Sequence, residues 1–146
     1  MMNACILYRS MTGHSKKIAN AISKEFSLKI YNIKDKPNVG GYDLAFVIGG
    51  IYSGESLKDV PEYFKTLNED NIKRVVLITS SCRGKDKQSK IREIMLENNI
   101  IVDEEEHILL GNFLLYRMGR PNRKDIQGVV EFARGILFKK EGEMND

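Results

Sequence analysis

The sequence predicts an α/β fold, a five-stranded parallel sheet with helices on both faces. Two observations carry that prediction. Short, continuously apolar runs read as strands buried on both sides, and between them lie stretches whose apolar residues recur every three or four positions. Size and composition are a third. The chain has 146 residues, 42% of them hydrophobic and 29% charged. That suits a single domain over residues 1–146, with its own core and no need of disulfides or a structural metal.

Residues 4–8 form the first apolar run, and Ile18, Ala19, Ile22 and Phe26 then mark one face of a helix. Residues 28–33 alternate Leu28, Ile30 and Ile33 with polar side chains, which predicts a second strand closed by Pro37 and Gly40-Gly41. The segment 34–43 is too short and too rich in Gly and Pro for a full crossover helix, so a vestigial helix or loop is expected. The third strand, 44–48, ends in Gly49-Gly50, and a loop then leads to a helix over 60–67, with Pro61 near its start. The fourth strand, 75–79, ends in a small polar loop. Ile91, Ile94, Met95 and Ile100 mark the next helix running into a strand-like region, and the acidic run 103–106 reads as a solvated connection to a last strand at 108–113. After Pro121, Ile126, Val129, Val130, Ala133, Ile136 and Leu137 give a final amphipathic helix.

Composition excludes several functions. No apolar run approaches the ~20 residues of a membrane span, and Arg9 arrives too early for a secretory signal, so a cytoplasmic protein that does not enter membranes is expected. Cys5 and Cys82 lack the neighbours of a zinc site, and no metal is expected. The net charge of +3 is mild, but between His107 and Lys140 seven basic residues face only Asp125 and Glu131. A nucleic-acid surface calls for tighter clustering with interleaved aromatics, so that cluster reads first as a solvated helix face.

In sheets of this kind ligands bind beyond the C-terminal strand ends, and three loops there are distinctive. The first is Ser10, Met11, Thr12, Gly13, His14 and Ser15, between the first strand and first helix. Small hydroxyls and a glycine at a helix N-terminus suit a phosphate monoester. The same residue types also cap helices, and the hexapeptide alone does not separate these two readings. It lacks the lysine of a nucleoside triphosphate loop, and the chain has no G-x-G-x-x-G. The second loop is Gly50, Ile51, Tyr52 and Ser53, running on to Gly54. The third is Ser80, Ser81, Cys82, Arg83 and Gly84.

With Ser10, Thr12, Gly13 and Ser15 matching [ST]-x-T-G-x-[ST], and Tyr42-Asp43-Leu44 and Gly50-Ile51-Tyr52-Ser53-Gly54 flanking the third strand, the chain resembles the flavodoxin family from Ala4 through the final helix. The resemblance implies strand order 2-1-3-4-5 and FMN as cofactor. It places the phosphate on the first loop, the isoalloxazine ring beside the second and the ring's polar edge against the third. Tyr52 would lie against a ring face, and the glycines beside it would let a backbone group approach flavin N5. The chain departs from the family pattern in three places. The third loop carries Cys82, Arg83 and Gly84 where many flavodoxins stack an aromatic, His14 stands where asparagine is common, and the chain is not acidic. The region 100–113 has no room for a long insertion, so the short-chain type fits.

Two other chemistries on similar sheets are excluded by named residues. A low-molecular-weight phosphatase needs Arg six positions after Cys, and here Met11 follows Cys5 and Gln88 follows Cys82. A response regulator needs acids at the first and third strand ends, which here are Arg9-Ser10 and Gly49-Gly50. The expected function is electron transfer between a reductase and an acceptor enzyme, with the chemistry in FMN and no catalytic acid or base. The alternatives are an FMN oxidoreductase acting directly on a quinone or tetrapyrrole, and a regulatory domain without FMN. The basic C-terminal region further predicts redox partner proteins with an acidic docking surface and transfer that slows with salt.

Overall fold

Strand β1 (Ala4–Tyr8) is the centre from which the sheet is built: it pairs in parallel with β2 (Lys29–Asn32) on one side and β3 (Tyr42–Tyr52) on the other. The computed structural model describes residues 2–10, 13–52, 55–56, 58–81, 89–110 and 122–138. Beyond β3 lies β5 (Ile72–Ser81), also parallel. The far edge is made by β6 (Ile101–Val102) and β7 (His107–Leu110), both parallel to β5, and a two-residue β4 (Glu55–Ser56) folds back antiparallel on the end of β3. Counted by position across the sheet, this is the 2-1-3-4-5 order.

Alternation along the strands sends residues to two separate cores. Ile6, Tyr8, Phe46, Ile48, Val76 and Ile78 face α1 (His14–Phe26) and α4 (Arg123–Leu137). Leu7, Val47, Val75 and Leu77 face α2 (Asp59–Phe64) and α3 (Ser89–Glu97). Cys5 joins the second core, and burial pushes its thiol up to about 12, which makes it inert as a nucleophile at neutral pH. The crossover between β2 and β3 is reduced to one 3-10 turn, Ile33–Asp35.

Four expectations change in detail. Helix α2 stops at Phe64 rather than Leu67, because Thr66 and Leu67 donate to Tyr63 and Phe64 in i→i+3 bonds that tighten the last turn. Leu67 is buried nonetheless. β3 runs through Gly50, Ile51 and Tyr52, and β5 through Ser80 and Ser81, where loops were expected. Glycine ends a strand only where its backbone loses a partner, and here Gly49 and Gly50 stay paired with Thr79 and Ser80. The last strand begins at His107, opposite Ile78, and residues 111–113 of the expected strand lie outside the described residues; a separate short strand, Ile101 and Val102, pairs with Arg74 and Val75.

The four residues between these two strands bulge past two on β5, and they are not simply solvated. Asp103 turns to Arg74 (3.3 Å), and Glu106, with a side chain only 2% exposed, accepts from Arg92 (3.0 Å) and from the Thr79 hydroxyl (3.0 Å). Glu104 and Glu105 stay outside.

Two predictions arise from the fold. Asn122 and Asp125 close a reciprocal capping box on α4, each side chain accepting the other's backbone N–H at 2.9 Å. Asn122→Ala should cost about 1 kcal/mol, seen as a lower urea midpoint with an unchanged m-value. His107 packs against Phe132 of α4 (ring centroids 5.1 Å apart), and burial lowers its pKa below the ordinary histidine value. The unfolded chain therefore takes up a proton that the folded one resists, so this contribution to stability is complete above about pH 6.5 and is lost as pH falls through the folded pKa. Comparing urea midpoints at neutral and mildly acid pH, His107→Phe should show a shallower acid loss than the parent.

Candidate functional site

After β1 the Arg9 N–H donates to the Ile48 carbonyl (3.0 Å), so the chain stays in line with β3 up to Ser10. Ser10 Oγ accepts the Gly13 N–H (2.9 Å) and closes the turn. Gly13 has φ 92°, a left-handed conformation that glycine adopts without strain, and its carbonyl receives the Lys17 N–H (3.0 Å) to start α1. Gly13 is thus the N-cap, with no side-chain capping bond. Ser10 is therefore not the N-cap residue, and Thr12 lies outside the described residues.

In the first turn of α1, His14 and Ser15 are 2% and 1% exposed. Ser15 Oγ has no hydrogen-bond partner among the described residues. A buried hydroxyl left in that state costs about 1–3 kcal/mol, and it sits beside backbone N–H groups that a helix N-terminus leaves unpaired. An anionic oxygen satisfies both, so these residues fit a phosphate group.

Arg9 does not point to solvent, as a residue just past the strand would by default. Its Nε donates to Asp59 Oδ2 (2.7 Å) and its Nη1 to the Ser10 carbonyl (3.0 Å), which ties the loop to the first residue of α2. The sequence signal for this clamp was weak: an acid in a first helical turn needs no partner beyond the helix dipole. Arg9 is therefore paired with Asp59.

The two ring-side segments meet through the sheet itself. Gly50 lies opposite Ser80 and Ile51 opposite Ser81 in the β3–β5 register, while Tyr52 pairs with Glu55 of β4. Ser10, Gly13, His14, Ser15, Gly50, Ile51, Tyr52, Ser80 and Ser81 consequently share the C-terminal edge. Met11, Thr12, Ser53, Cys82, Arg83 and Gly84 lie outside the described residues.

Sequence reasoning missed the support beneath the third segment. Glu106 links β5 through Thr79 to α3 through Arg92, and Arg92 also donates to the Asp103 carbonyl (2.9 Å). Among the described residues, no group of three His, Cys, Asp or Glu is placed to hold a metal ion, and no helix is long and apolar enough to cross a membrane.

A family model described as a flavodoxin domain matches residues 5–135. Among solved structures the chain is similar to a short-chain flavodoxin associated with a non-canonical PDU bacterial microcompartment, with a TM-score of 0.63 and 14% identity over 94% of this chain and 97% of that one. It is also similar to a flavodoxin from the domain Archaea (TM-score 0.61, 17% identity, 93% and 99% covered). A third likeness is to a flavoprotein in complex with FMN from Lactobacillus acidophilus NCFM (TM-score 0.52, 15% identity, 70% and 90% covered). At these identities the likenesses establish the fold. No protein of curated function matches the sequence.

Proposed function

Because the chain belongs to the flavodoxin-domain family, we propose that it is a one-domain, cytoplasmic FMN-binding carrier that takes electrons from a reductase and delivers them to a separate acceptor enzyme. The observation that carries this reading is the buried Ser15 hydroxyl, without a partner among the described residues, in the first turn of α1 next to the left-handed Gly13. Ser10, Met11, Thr12, Gly13, His14 and Ser15 hold the phosphate. Gly50, Ile51, Tyr52 and Ser53 border the ring, and Ser80, Ser81, Cys82, Arg83 and Gly84 meet its polar edge.

When bound, FMN supplies the redox chemistry, taking electrons up and releasing them singly or in pairs. The chain's own residues position it and shape the potential around it, and none serves as a general acid or base. The pairing of Gly50 with Ser80 and of Ile51 with Ser81 supports a shared ring site, since it fixes both segments to one rigid edge.

The test is purification and turnover. The expected result is a yellow protein whose FMN is reduced by a protein reductase and reoxidised by a second enzyme. A colourless protein that takes up no added FMN overturns the reading. Steady turnover of a quinone without any protein acceptor replaces the carrier with a direct oxidoreductase.

A further inference from the structure

One edge of the sheet gathers the starts of all four described helices, and those starts are basic. Helix α1 starts at the C-terminal edge, directly after β1. Arg134 in the last turn of α4 reaches Glu25 in the last turn of α1 (2.8 Å), so these two helices run in the same direction and α4 starts at that edge too. Helix α3 lies between the end of β5 and β6, and β6 pairs with Arg74 and Val75 near the start of β5, so its first turn is also at the C-terminal edge. The residues at these starts are basic: Lys16 on α1, Lys58 just before α2, Lys90 on α3, and Arg123 and Lys124 on α4.

All five are exposed, and among the described residues none of them pairs with a carboxylate. Of the acids in the first turns of these helices, Glu62 on α2 is exposed and two are engaged. Asp59 is held by Arg9, and Asp125 closes the α4 capping box. The opposite edge is mixed, with Asp43, Glu69, Asp70 and Glu97 beside Lys24, Lys29, Lys65 and Lys73. Arg123 and Lys124 belong to the basic C-terminal cluster read from the sequence, Arg134 of that cluster is engaged by Glu25 and Glu131, and Arg117, Arg120, Lys139 and Lys140 lie outside the described residues.

Helix stability does not call for this arrangement. The N-terminal end of a helix favours anions by a few tenths to 1 kcal/mol and disfavours cations by similar amounts. Cations gathered there against that preference, around the edge where the ring would be exposed, match an external anionic surface. We propose that the C-terminal edge, with Lys16, Lys58, Lys90, Arg123 and Lys124, is the docking surface for an acidic face of the protein that exchanges electrons with this one. The proposal rests on the carrier reading above and specifies the charge of its partner.

The experiment follows electron transfer by stopped flow in the FMN-loaded protein, with FMN content measured first by absorbance. Reduced plant-type ferredoxin serves as an acidic donor and mitochondrial cytochrome c as a basic acceptor. Raising salt from about 20 to about 300 mM should slow transfer from ferredoxin about tenfold and should not slow transfer to cytochrome c. At low salt, Lys90→Glu/Lys124→Glu should slow the ferredoxin reaction about tenfold. Lys24→Glu/Lys65→Glu changes net charge equally on the opposite edge and should leave the rate within about twofold.

Equal effects of the two double variants, or rates flat with salt, overturn the docking surface alone. A short DNA duplex that binds the protein and blocks ferredoxin assigns the rim to nucleic acid and overturns the proposal. A preparation that takes up no FMN overturns the carrier reading itself.

Discussion

Ser15→Asp is expected to lower FMN affinity about 100-fold or more, while Ser15→Ala lowers it only about tenfold and leaves the apoprotein at least as stable as before. The difference follows from what each change does at a position 1% exposed. Aspartate sets a carboxylate where the phosphate is proposed to sit, and two like charges about 4 Å apart repel by roughly 4 kcal/mol at an effective dielectric near 20. Alanine removes a single hydrogen bond to a charged group, worth about 1.5 kcal/mol.

Without ligand the alanine variant loses nothing, because the Ser15 hydroxyl has no partner among the described residues and alanine is the better helix former. Titration of FMN by fluorescence quenching and urea midpoints of the apoproteins measure the two effects. The opposite signs matter: a residue that only supports the fold would lose stability and affinity together. Unchanged affinity in Ser15→Asp removes the phosphate site from this loop.

The sequence and structure agree where local chemistry decides the outcome, and diverge where a distant partner does. The continuous apolar runs 4–8, 44–48 and 75–79 and the 3-4 periodicity of Ile18, Ala19, Ile22 and Phe26 depend on burial alone, and each lies in the expected kind of element. A helix start close to Gly13 was legible, because a glycine among hydroxyls after a strand has few other uses, although His14 and Ser15 already belong to the helix. Whether Ser10 capped the helix was not legible, since that depends on which residue takes the left-handed conformation; Gly13 does.

Gly49-Gly50 and Ser80-Ser81 read as strand ends, because each pair is a poor strand former by itself. They remain strand because Gly49 and Gly50 lie opposite Thr79 and Ser80, and Ser81 opposite Ile51, a pairing fixed only by register. The acidic run 103–106 misled for the same reason. Four consecutive acids look solvated until Arg74 and Arg92, respectively 29 and 14 residues away from Asp103 and Glu106, turn two of them inward.

Glu106 therefore carries the second large expectation. Glu106→Ala should destabilise the protein by about 2–3 kcal/mol. Removing one member of a buried ion pair costs about 3–5 kcal/mol, because the other charge is left unpaired in a poorly solvated site. Here the cost is lower, since the Arg92 side chain is 26% exposed and retains the Asp103 carbonyl. Replacing both partners, Arg92→Met/Glu106→Leu, should recover most of the loss, because no unpaired charge remains.

Urea denaturation of the two single variants and the double variant gives the coupling directly, and a single-variant cost below about 0.5 kcal/mol shows that water already serves the pair. The loss should also be local. Thr79, one residue before Ser80, donates its hydroxyl to Glu106, and Ser80 and Ser81 pair on their other side with Leu109 and Leu110 of β7, which Glu106 precedes by one residue. Amide exchange at Ser80 and Ser81 should accelerate in Glu106→Ala more than at Ile6 or Phe46 in the centre of the sheet. That comparison separates a general loss of stability from release of the edge that would border the flavin, because only the second concentrates at the end of β5.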